Sequence, residues 1–334
     1  MMVRGGAVER HLFCRIVGPV NGSPGRARCY RAGGAAVVEF GKAEGSGFPG
    51  DESGLMSNRR ASIVGREQRG VMRMSKVIAI ANQKGGVGKT TTAVNLGAAL
   101  AALGYRVLVI DIDPQGNTTS GLGVNKKKIT QCVYQVLIDE VPMREVVVKT
   151  AVTGLDLVPS TIDLAGAEVE LVPALSRETK LKKALADLRG DYDFVLMDCP
   201  PSLGLLTVNA LTAADSVLVP IQCEYYALEG LTQLMNTVHL VQNHLNAGLQ
   251  LEGVVLTMYD GRTNLSAQVA EEVKRFFRDK VYRTIIPRNI RLSEAPSYGK
   301  PIIAYDPRSK GAEVYMELAK EVAVHAQAGS RQRA

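Results

Sequence analysis

The stretch Lys84-Gly85-Gly86-Val87-Gly88-Lys89-Thr90-Thr91 decides the fold of this chain. It follows an apolar run at 77–81 and precedes a helix-forming run at 93–100, so it predicts a strand, a glycine loop and a helix in that order. Glycines let backbone N–H groups turn inward around an anion, and the start of the helix adds its positive dipole end. Lys89 can reach the β- and γ-phosphate oxygens, and the Thr90 hydroxyl can ligate Mg²⁺. The stretch therefore predicts a site for nucleotide phosphates.

This loop departs from the common pattern G-x-x-x-x-G-K-[ST] at its first position. Gln83 stands where that pattern has glycine, and Lys84 adds a second lysine at the front of the loop. The form K-G-G-x-G-K-T-T resembles the deviant Walker A box of the ParA/MinD superfamily. That resemblance implies that Lys84 reaches across a dimer to the nucleotide of the partner subunit.

Composition narrows the class of protein. At 334 residues and 46% hydrophobic content, the chain is long enough for one large α/β domain or two small ones. It has no run of 18 or more apolar residues, so no membrane span is predicted. The cysteines form no C-x-x-C pair, which favours a reduced, cytosolic protein without a disulfide framework or a structural zinc site. They are Cys14, Cys29, Cys132, Cys199 and Cys223.

The net charge of +7 is concentrated near the start of the chain. Residues 1–73 carry 12 Lys/Arg and 6 Asp/Glu, whereas residues 74–334 carry 28 and 27. Residues 1–73 also lack a sustained period of 2 or 3.6 and match neither a secretory signal nor a transit peptide. We therefore expect residues 1–73 to be a disordered leader or an upstream-start artefact, since Met72 or Met74 stands just before the first predicted strand.

From residue 74 to 326 the sequence alternates strand and helix patterns, which predicts one doubly wound α/β domain with a mostly parallel sheet. A polar tail is expected at 327–334. Predicted helices cover 176–188, 224–243 and 311–326. Predicted strands are 77–81, 106–110, 155–159, 194–197, 216–220, 253–256 and 284–286.

Aspartates follow two of the predicted strands. Asp111 and Asp113 come after the strand 106–110, and Asp198 comes after 194–197. Carboxyl ends of parallel strands share one edge, so these side chains should lie beside the glycine loop. Asp198 can hold Mg²⁺ through water, and Asp113 can orient the water that attacks the γ-phosphate. Two functions for Asp111 remain open, a part in the reaction or only a loop hydrogen bond.

The resemblance becomes specific when further motifs are added. The further motifs are D-I-D-P-Q-G at 111–116, D-C-P-P at 198–201, Q-C-E-Y-Y-A-L-E-G at 222–230, P-R-N at 287–289, L-S-E-A-P at 292–296 and Y-D-P-R at 305–308. Together with the glycine loop, they resemble ParA/Soj chromosome-partitioning ATPases over about residues 74–325. The resemblance implies a P-loop ATPase with ATP and Mg²⁺ as cofactors. It implies that Lys84, Lys89 and Asp113 are catalytic, that Thr90 and Asp198 hold the metal, and that ATP contacts Lys84, Gly85, Gly86, Val87, Gly88, Lys89, Thr90, Thr91, Pro287 and Asn289.

A basic segment stands out within the otherwise neutral domain. Residues 262–310 carry 11 Lys/Arg and 5 Asp/Glu, as expected of a surface that follows a phosphate backbone. Arg262 and Arg291 match positions that contact DNA in Soj-like proteins. Since no helix-turn-helix or zinc-finger pattern occurs, DNA binding should be non-specific. The alternative is that these charges form only a solvated surface.

Three other classes of protein fit these motifs less well. A MinD-type membrane ATPase would end in an amphipathic helix, but residues 325–334 lack bulky apolar side chains. An iron–sulfur electron carrier would need cysteines at a spacing that Cys199 and Cys223 do not provide. A nucleotide-binding scaffold without turnover would not need Asp113.

The resemblance to ParA/Soj ATPases implies a reaction cycle. ATP closes a homodimer, the dimer binds DNA, and slow hydrolysis, stimulated by a ParB-like partner, releases it. Such a protein is cytoplasmic, nucleoid-associated and does not bind membranes. Chromosomal and plasmid roles are not distinguished by the sequence.

Overall fold

The computed structural model describes residues 27–32, 35–40, 75–224 and 229–331. Within the predicted leader, strands β1 (Ala27–Ala32) and β2 (Ala35–Phe40) pair antiparallel, with Ala27 opposite Phe40. This pairing was not predicted from the sequence. The rest of residues 1–73 lies outside the described residues, so the expected disorder of the leader stays a prediction.

A seven-stranded sheet organises residues 75–331. Its strand order is β5-β6-β4-β7-β3-β8-β9, and every neighbouring pair is parallel except β5 with β6. The mostly parallel, doubly wound α/β fold predicted from the sequence is confirmed. The strands are β3 (Lys76–Ile80), β4 (Val107–Asp111), β5 (Val148–Lys149), β6 (Leu155–Val158), β7 (Phe194–Asp198), β8 (Ser216–Gln222) and β9 (Gln250–Thr257).

Helices cover both faces of this sheet, as the apolar strands require. Along β3, Val77 and Ala79 belong to one apolar core, and Ile78 and Ile80 belong to the other. The helices are α1 (Lys89–Ala102), α2 (Asn117–Gly121), α3 (Val133–Leu137), α4 (Met143–Val146), α5 (Leu164–Glu170), α6 (Lys180–Leu185), α7 (Leu205–Ala213), α8 (Glu229–His244), α9 (Asn264–Phe277), α10 (Ile290–Glu294), α11 (Ile302–Tyr305) and α12 (Lys310–Arg331). In the part of the chain that the structure describes, no helix is long and apolar enough to cross a membrane.

Helix boundaries differ from the predicted ones in three places. The helix predicted at 176–188 is α6 flanked by 3₁₀ turns. The helix predicted from 224 begins at Glu229, with residues 225–228 outside the described part. The last helix extends to Arg331, so the backbone of the predicted polar tail is helical over 327–331.

The strand predicted at 284–286 is absent, and that prediction was wrong. The backbone runs beside β9 but makes only single bridges, Val254 with Val281 and Tyr259 with Pro287. The physical reason is a competing acceptor, because the Glu321 carboxylate accepts the N–H groups of Arg283 and Thr284. Those two donors are therefore turned away from the sheet.

Candidate nucleotide-binding site

The loop 82–88 leaves the carboxyl end of β3 and enters α1, as predicted. Gly86 and Gly88 adopt left-handed backbone conformations, with φ of 74° and 90°, which glycine reaches without steric cost. Gly85 and Gly86 are exposed, and a Cβ atom at either would meet nothing within 4 Å. The loop therefore presents open space above its backbone, where an anion can approach.

Lys89 is the first residue of α1, and its side chain reaches back to the loop 82–88. Its side chain is buried, and Nζ donates a hydrogen bond to the Lys84 carbonyl oxygen at 3.0 Å. Burial lowers the pKa of Lys89, and the nearby carboxylates of Asp198 and Asp113 partly offset that effect. A desolvated ammonium held this way is suited to pair with phosphate oxygens.

Lys84 is fixed through its backbone and not through its charge. Its N–H donates to Asn82 Oδ1 at 3.0 Å, and Asn82 Nδ2 donates to the Pro220 carbonyl at 2.8 Å. Among the described residues, the half-buried Lys84 side chain makes no ion pair with a carboxylate. Asn82 was not singled out from the sequence, because its role depends on β8.

The back of the loop is tied to β9. Thr257 Oγ1 donates to the carbonyl of Val87 at 2.8 Å, and a Cβ at Gly88 would lie 3.7 Å from the Thr257 methyl carbon. Thr91 uses its carbonyl to accept from Asn95 Nδ2 at 2.7 Å. No sequence pattern marks Thr257, since it reaches the loop only through the pairing of β8 with β9.

Asp198 lies at the end of β7, beside the loop. Its Oδ2 accepts hydrogen bonds from Thr90 Oγ1 at 2.8 Å and from Thr118 Oγ1 at 2.7 Å. Its Oδ1 is buried and has no hydrogen-bond partner. A buried carboxylate oxygen without a donor fits a metal-bound water, so the pair Thr90 and Asp198 fits a Mg²⁺ site. Thr118 was missed by sequence reasoning.

Asp111 is the cross-strand neighbour of Asp198 in the parallel ladder of β4 and β7. Its Oδ1 accepts the Asp113 N–H at 3.2 Å, and its Oδ2 accepts both the N–H and the hydroxyl of Thr119, at 2.8 and 2.7 Å. Asp111 is fully buried, and burial together with the charge of Asp198 raises the pKa of Asp111 to about 8.

Asp113 lies in the loop that follows β4, and the residue is 8% exposed. Its Oδ1 accepts the Gln115 N–H at 2.9 Å, and its charge acts on both Lys89 and Asp198. Gly116, with φ of 60°, closes the turn through an N–H bond to the Asp113 carbonyl at 2.9 Å. The structure thus brings Asp113, Lys89, Thr90 and Asp198 to one edge of the sheet.

Pro287 forms the bridge to Tyr259, Asn289 follows two residues later, and both are half-buried. Asn289 Oδ1 accepts the Arg291 N–H at 2.8 Å and so caps α10. Of its amide atoms, the oxygen is therefore engaged, and Nδ2 is the atom suited to contact a base edge.

The two arginines predicted to contact DNA are at the surface, and both are paired. Arg262 is 87% exposed and forms a two-pronged ion pair with Asp260, with distances of 2.9 and 2.7 Å. Arg291 lies within 2.9 Å of Glu294 and 3.6 Å of Asp306. A DNA phosphate would have to compete with these carboxylates, but exposed pairs of this kind contribute only about 0–1 kcal/mol.

The cysteines of the described core are buried. Cys132, Cys199 and Cys223 are free thiols, and burial raises the pKa of Cys199 well above its usual value. Within residues 75–224 and 229–331, no group of three or more His, Cys, Asp or Glu side chains is arranged to hold a metal ion. These thiols therefore behave as core side chains.

Comparison with known proteins gives a consistent result. A family model described as an AAA domain matches residues 75–251. The sporulation initiation inhibitor protein Soj of Bacillus subtilis (strain 168) is 67% identical over 252 residues, covering 75% of this chain and 100% of that protein. The chromosome partitioning protein ParA of Myxococcus xanthus (strain DK1622) is 54% identical over 264 residues, covering 79% and 93%. A cobyrinic acid a,c-diamide synthase from Mycobacterium smegmatis, solved with an ATP analogue and magnesium, superposes with a TM-score of 0.68 at 43% identity, covering 76% and 97%.

Proposed function

The chain belongs to the Soj/ParA family of chromosome-partitioning ATPases, and we propose that its ATP-bound form is a homodimer that binds DNA without sequence preference. Hydrolysis then releases the DNA. The observation that carries this proposal is Lys84, a second P-loop lysine whose half-buried side chain has no carboxylate partner in the described part of its own subunit. A lysine so placed can neutralise phosphate charge on a second subunit.

In this proposal the 84–91 loop holds the triphosphate, and Pro287 and Asn289 contact the adenine. The support is the open space above Gly85 and Gly86 and the buried ammonium of Lys89. Mg²⁺, when bound at Thr90 and at Asp198 through water, neutralises charge on the phosphates. The unpartnered Asp198 Oδ1 supports that assignment.

Asp113 is the residue that orients the attacking water. It lies in the loop after β4, where its charge acts on both Lys89 and Asp198. Among the described side chains, no arginine is hydrogen-bonded to Lys89, Asp113 or Asp198. In this proposal, Lys89 and the Lys84 of the second subunit therefore stabilise the charge that develops in the transition state. Basal turnover is therefore slow, and a ParB-like partner raises it.

DNA is held by the surface that carries Arg262 and Arg291. The supporting observations are the excess of Lys/Arg over residues 262–310 and the exposure of both guanidinium groups. Binding that rests on phosphate contacts depends strongly on salt and places the protein on the nucleoid in the cytoplasm. Residues 74–326 form the single ATPase domain that this activity needs.

A MinD-like role at a membrane is less consistent with the last helix. In α12 the apolar face is buried in the core that includes α1, through Val314, Tyr315, Leu318 and Val322. A helix whose apolar side already packs on the domain has little left to insert into lipid.

The test is a DNA-retention assay with ATP, ADP and a non-hydrolysable ATP analogue, on the full chain and on a variant starting at Met74. We expect ATP-dependent retention by both forms, and its loss in Lys84→Ala with ATP binding preserved. Lys320→Ala, which removes an exposed lysine of α12, is the matched control. Retention that is unchanged in Lys84→Ala would contradict the trans role of Lys84, and ATP-dependent binding to anionic vesicles in place of DNA would favour the MinD-like role.

A further inference from the structure

The loop that carries Asp113 is anchored on both sides by buried hydrogen bonds. On one side Asp111 accepts the Asp113 N–H through Oδ1 at 3.2 Å. On the other side the same carboxylate accepts the N–H and hydroxyl of Thr119 through Oδ2. Asp111 and Thr119 therefore close the loop 112–118 at its base.

Thr119 connects a third segment to this anchor. Its hydroxyl donates to Asp111 at 2.7 Å and accepts the Ser160 N–H at 2.9 Å, so both functions of the oxygen are used. Asp111, Thr119 and Ser160 are all completely buried. One hydroxyl thus joins the end of β4, the first turn of α2 and the loop that leaves β6.

Asp113 itself has few other restraints. Among the described residues its side chain accepts only the local Gln115 N–H, and its carbonyl accepts the Gly116 N–H within the same turn. The turn rests against the Ser160 backbone, since a Cβ at Gly116 would lie 2.8 Å from the Ser160 carbonyl oxygen. The direction in which Asp113 points is therefore set by the flanking anchor more than by contacts of its own.

We infer that Thr119 is a positioning residue of the ATPase reaction, which holds Asp113 in place through Asp111 and Ser160. This inference rests on the role proposed above for Asp113. Thr119 makes no hydrogen bond to the 84–91 loop or to Asp198. Loss of its hydroxyl should therefore lower kcat and leave nucleotide binding nearly unchanged, because the displaced group acts on the attacking water and not on the bound phosphates.

The experiment compares Thr119→Val, which keeps the shape and removes the hydroxyl, with Thr119→Ser, which keeps the hydroxyl. Steady-state ATPase rates give kcat and KM, a fluorescent ATP analogue gives affinity, and thermal unfolding gives stability. We expect kcat of Thr119→Val to fall at least tenfold with affinity within about threefold, and Thr119→Ser to recover most of the rate.

Asp113→Ala separates this inference from the proposed function. If Asp113→Ala turns over ATP at the wild-type rate, the catalytic role of Asp113 is wrong. If Asp113→Ala is slow, Thr119→Val in that background should cause no further loss, because positioning acts only through Asp113. Wild-type kcat in folded Thr119→Val, a parallel loss of ATP affinity, or a further loss of rate in the double variant would each overturn the inference.

Discussion

Asp111 and Asp198 face each other across the parallel strands β4 and β7, both completely buried, yet only Asp198 has an oxygen without a hydrogen-bond donor. The three donors around Asp111 all come from its own loop and from α2. The donors to Asp198 are hydroxyls of α1 and α2, and both bind the same oxygen. Two neighbouring aspartates thus serve different purposes, since one holds a loop and the other is available to a hydrated metal ion.

Asp198→Asn should weaken magnesium-dependent nucleotide binding. The amide keeps one oxygen that can accept from Thr90 and Thr118, but it removes the negative charge that a hydrated Mg²⁺ requires. We expect at least a tenfold loss of ADP affinity with Mg²⁺ and a change of less than threefold without it, measured by calorimetry. Asp187→Asn, at an exposed carboxylate in the 3₁₀ turn that follows α6, is the control. Equal losses with and without Mg²⁺ would show that Asp198 acts on folding or phosphate binding instead.

Stability of the nucleotide-free protein should fall as pH rises from 5 to 8. Burial raises the pKa of Asp198 to about 6 and that of Asp111 to about 8, whereas an unfolded aspartate titrates near pH 4. The folded state therefore binds protons more tightly, and the stability this contributes is complete below about pH 4 and lost as pH rises through the folded pKa values.

The expected decrease in the free energy of unfolding is measured by urea denaturation at a series of pH values between 5 and 8. Asp198→Asn should flatten the profile, because it removes one of the two charges. A nucleotide-free protein that is more stable at pH 8 than at pH 5.5 would contradict the sign of both shifts.

Arg262→Ala should weaken DNA binding about equally for all sequences. Removal of one phosphate contact is expected to reduce the slope of log K against log salt by about 1. Asp260→Asn should strengthen DNA binding, since it removes the carboxylate that accepts from the Arg262 guanidinium at 2.7 and 2.9 Å. Lys182→Ala, at an exposed lysine of α6, controls for the loss of one charge. An unchanged salt slope in Arg262→Ala would place the DNA contact elsewhere.

Glu321→Ala should destabilise the segment that leads to Pro287 and Asn289. The Glu321 carboxylate accepts three hydrogen bonds, from the N–H groups of Arg283 and Thr284 and from the Thr284 hydroxyl. Since Thr284 is buried, its donors would lose their acceptor at a cost of about 1–3 kcal/mol. Chemical denaturation measures this, with Glu317→Ala at an exposed position one turn earlier in α12 as the control. Equal stabilities of the two variants would contradict it.

Most of the fold could be predicted from the sequence, because a buried strand is marked by a short apolar run and a glycine loop is marked by its composition. The prediction of a strand at 284–286 failed because of a tertiary contact. Glu321 lies 37 residues from Thr284 along the chain, and its carboxylate accepts the Thr284 N–H. Thr118 was missed in the same way, because its partner Asp198 lies 80 residues away. Sequence patterns report local order, and these contacts are not local.

The sequence by itself determined the phosphate loop, its second lysine, and the positions of Asp113 and Asp198 after buried strands. These follow from backbone geometry, since glycine spacing and parallel strands place such residues at one edge whatever the details of packing. Only the tertiary structure decided that both carboxylate oxygens of Asp111 accept hydrogen bonds while Asp198 keeps one oxygen without a donor. It also decided that the Thr119 hydroxyl connects three segments of the chain. The reason is that hydrogen-bond satisfaction of a buried group depends on which distant donors the fold brings to it.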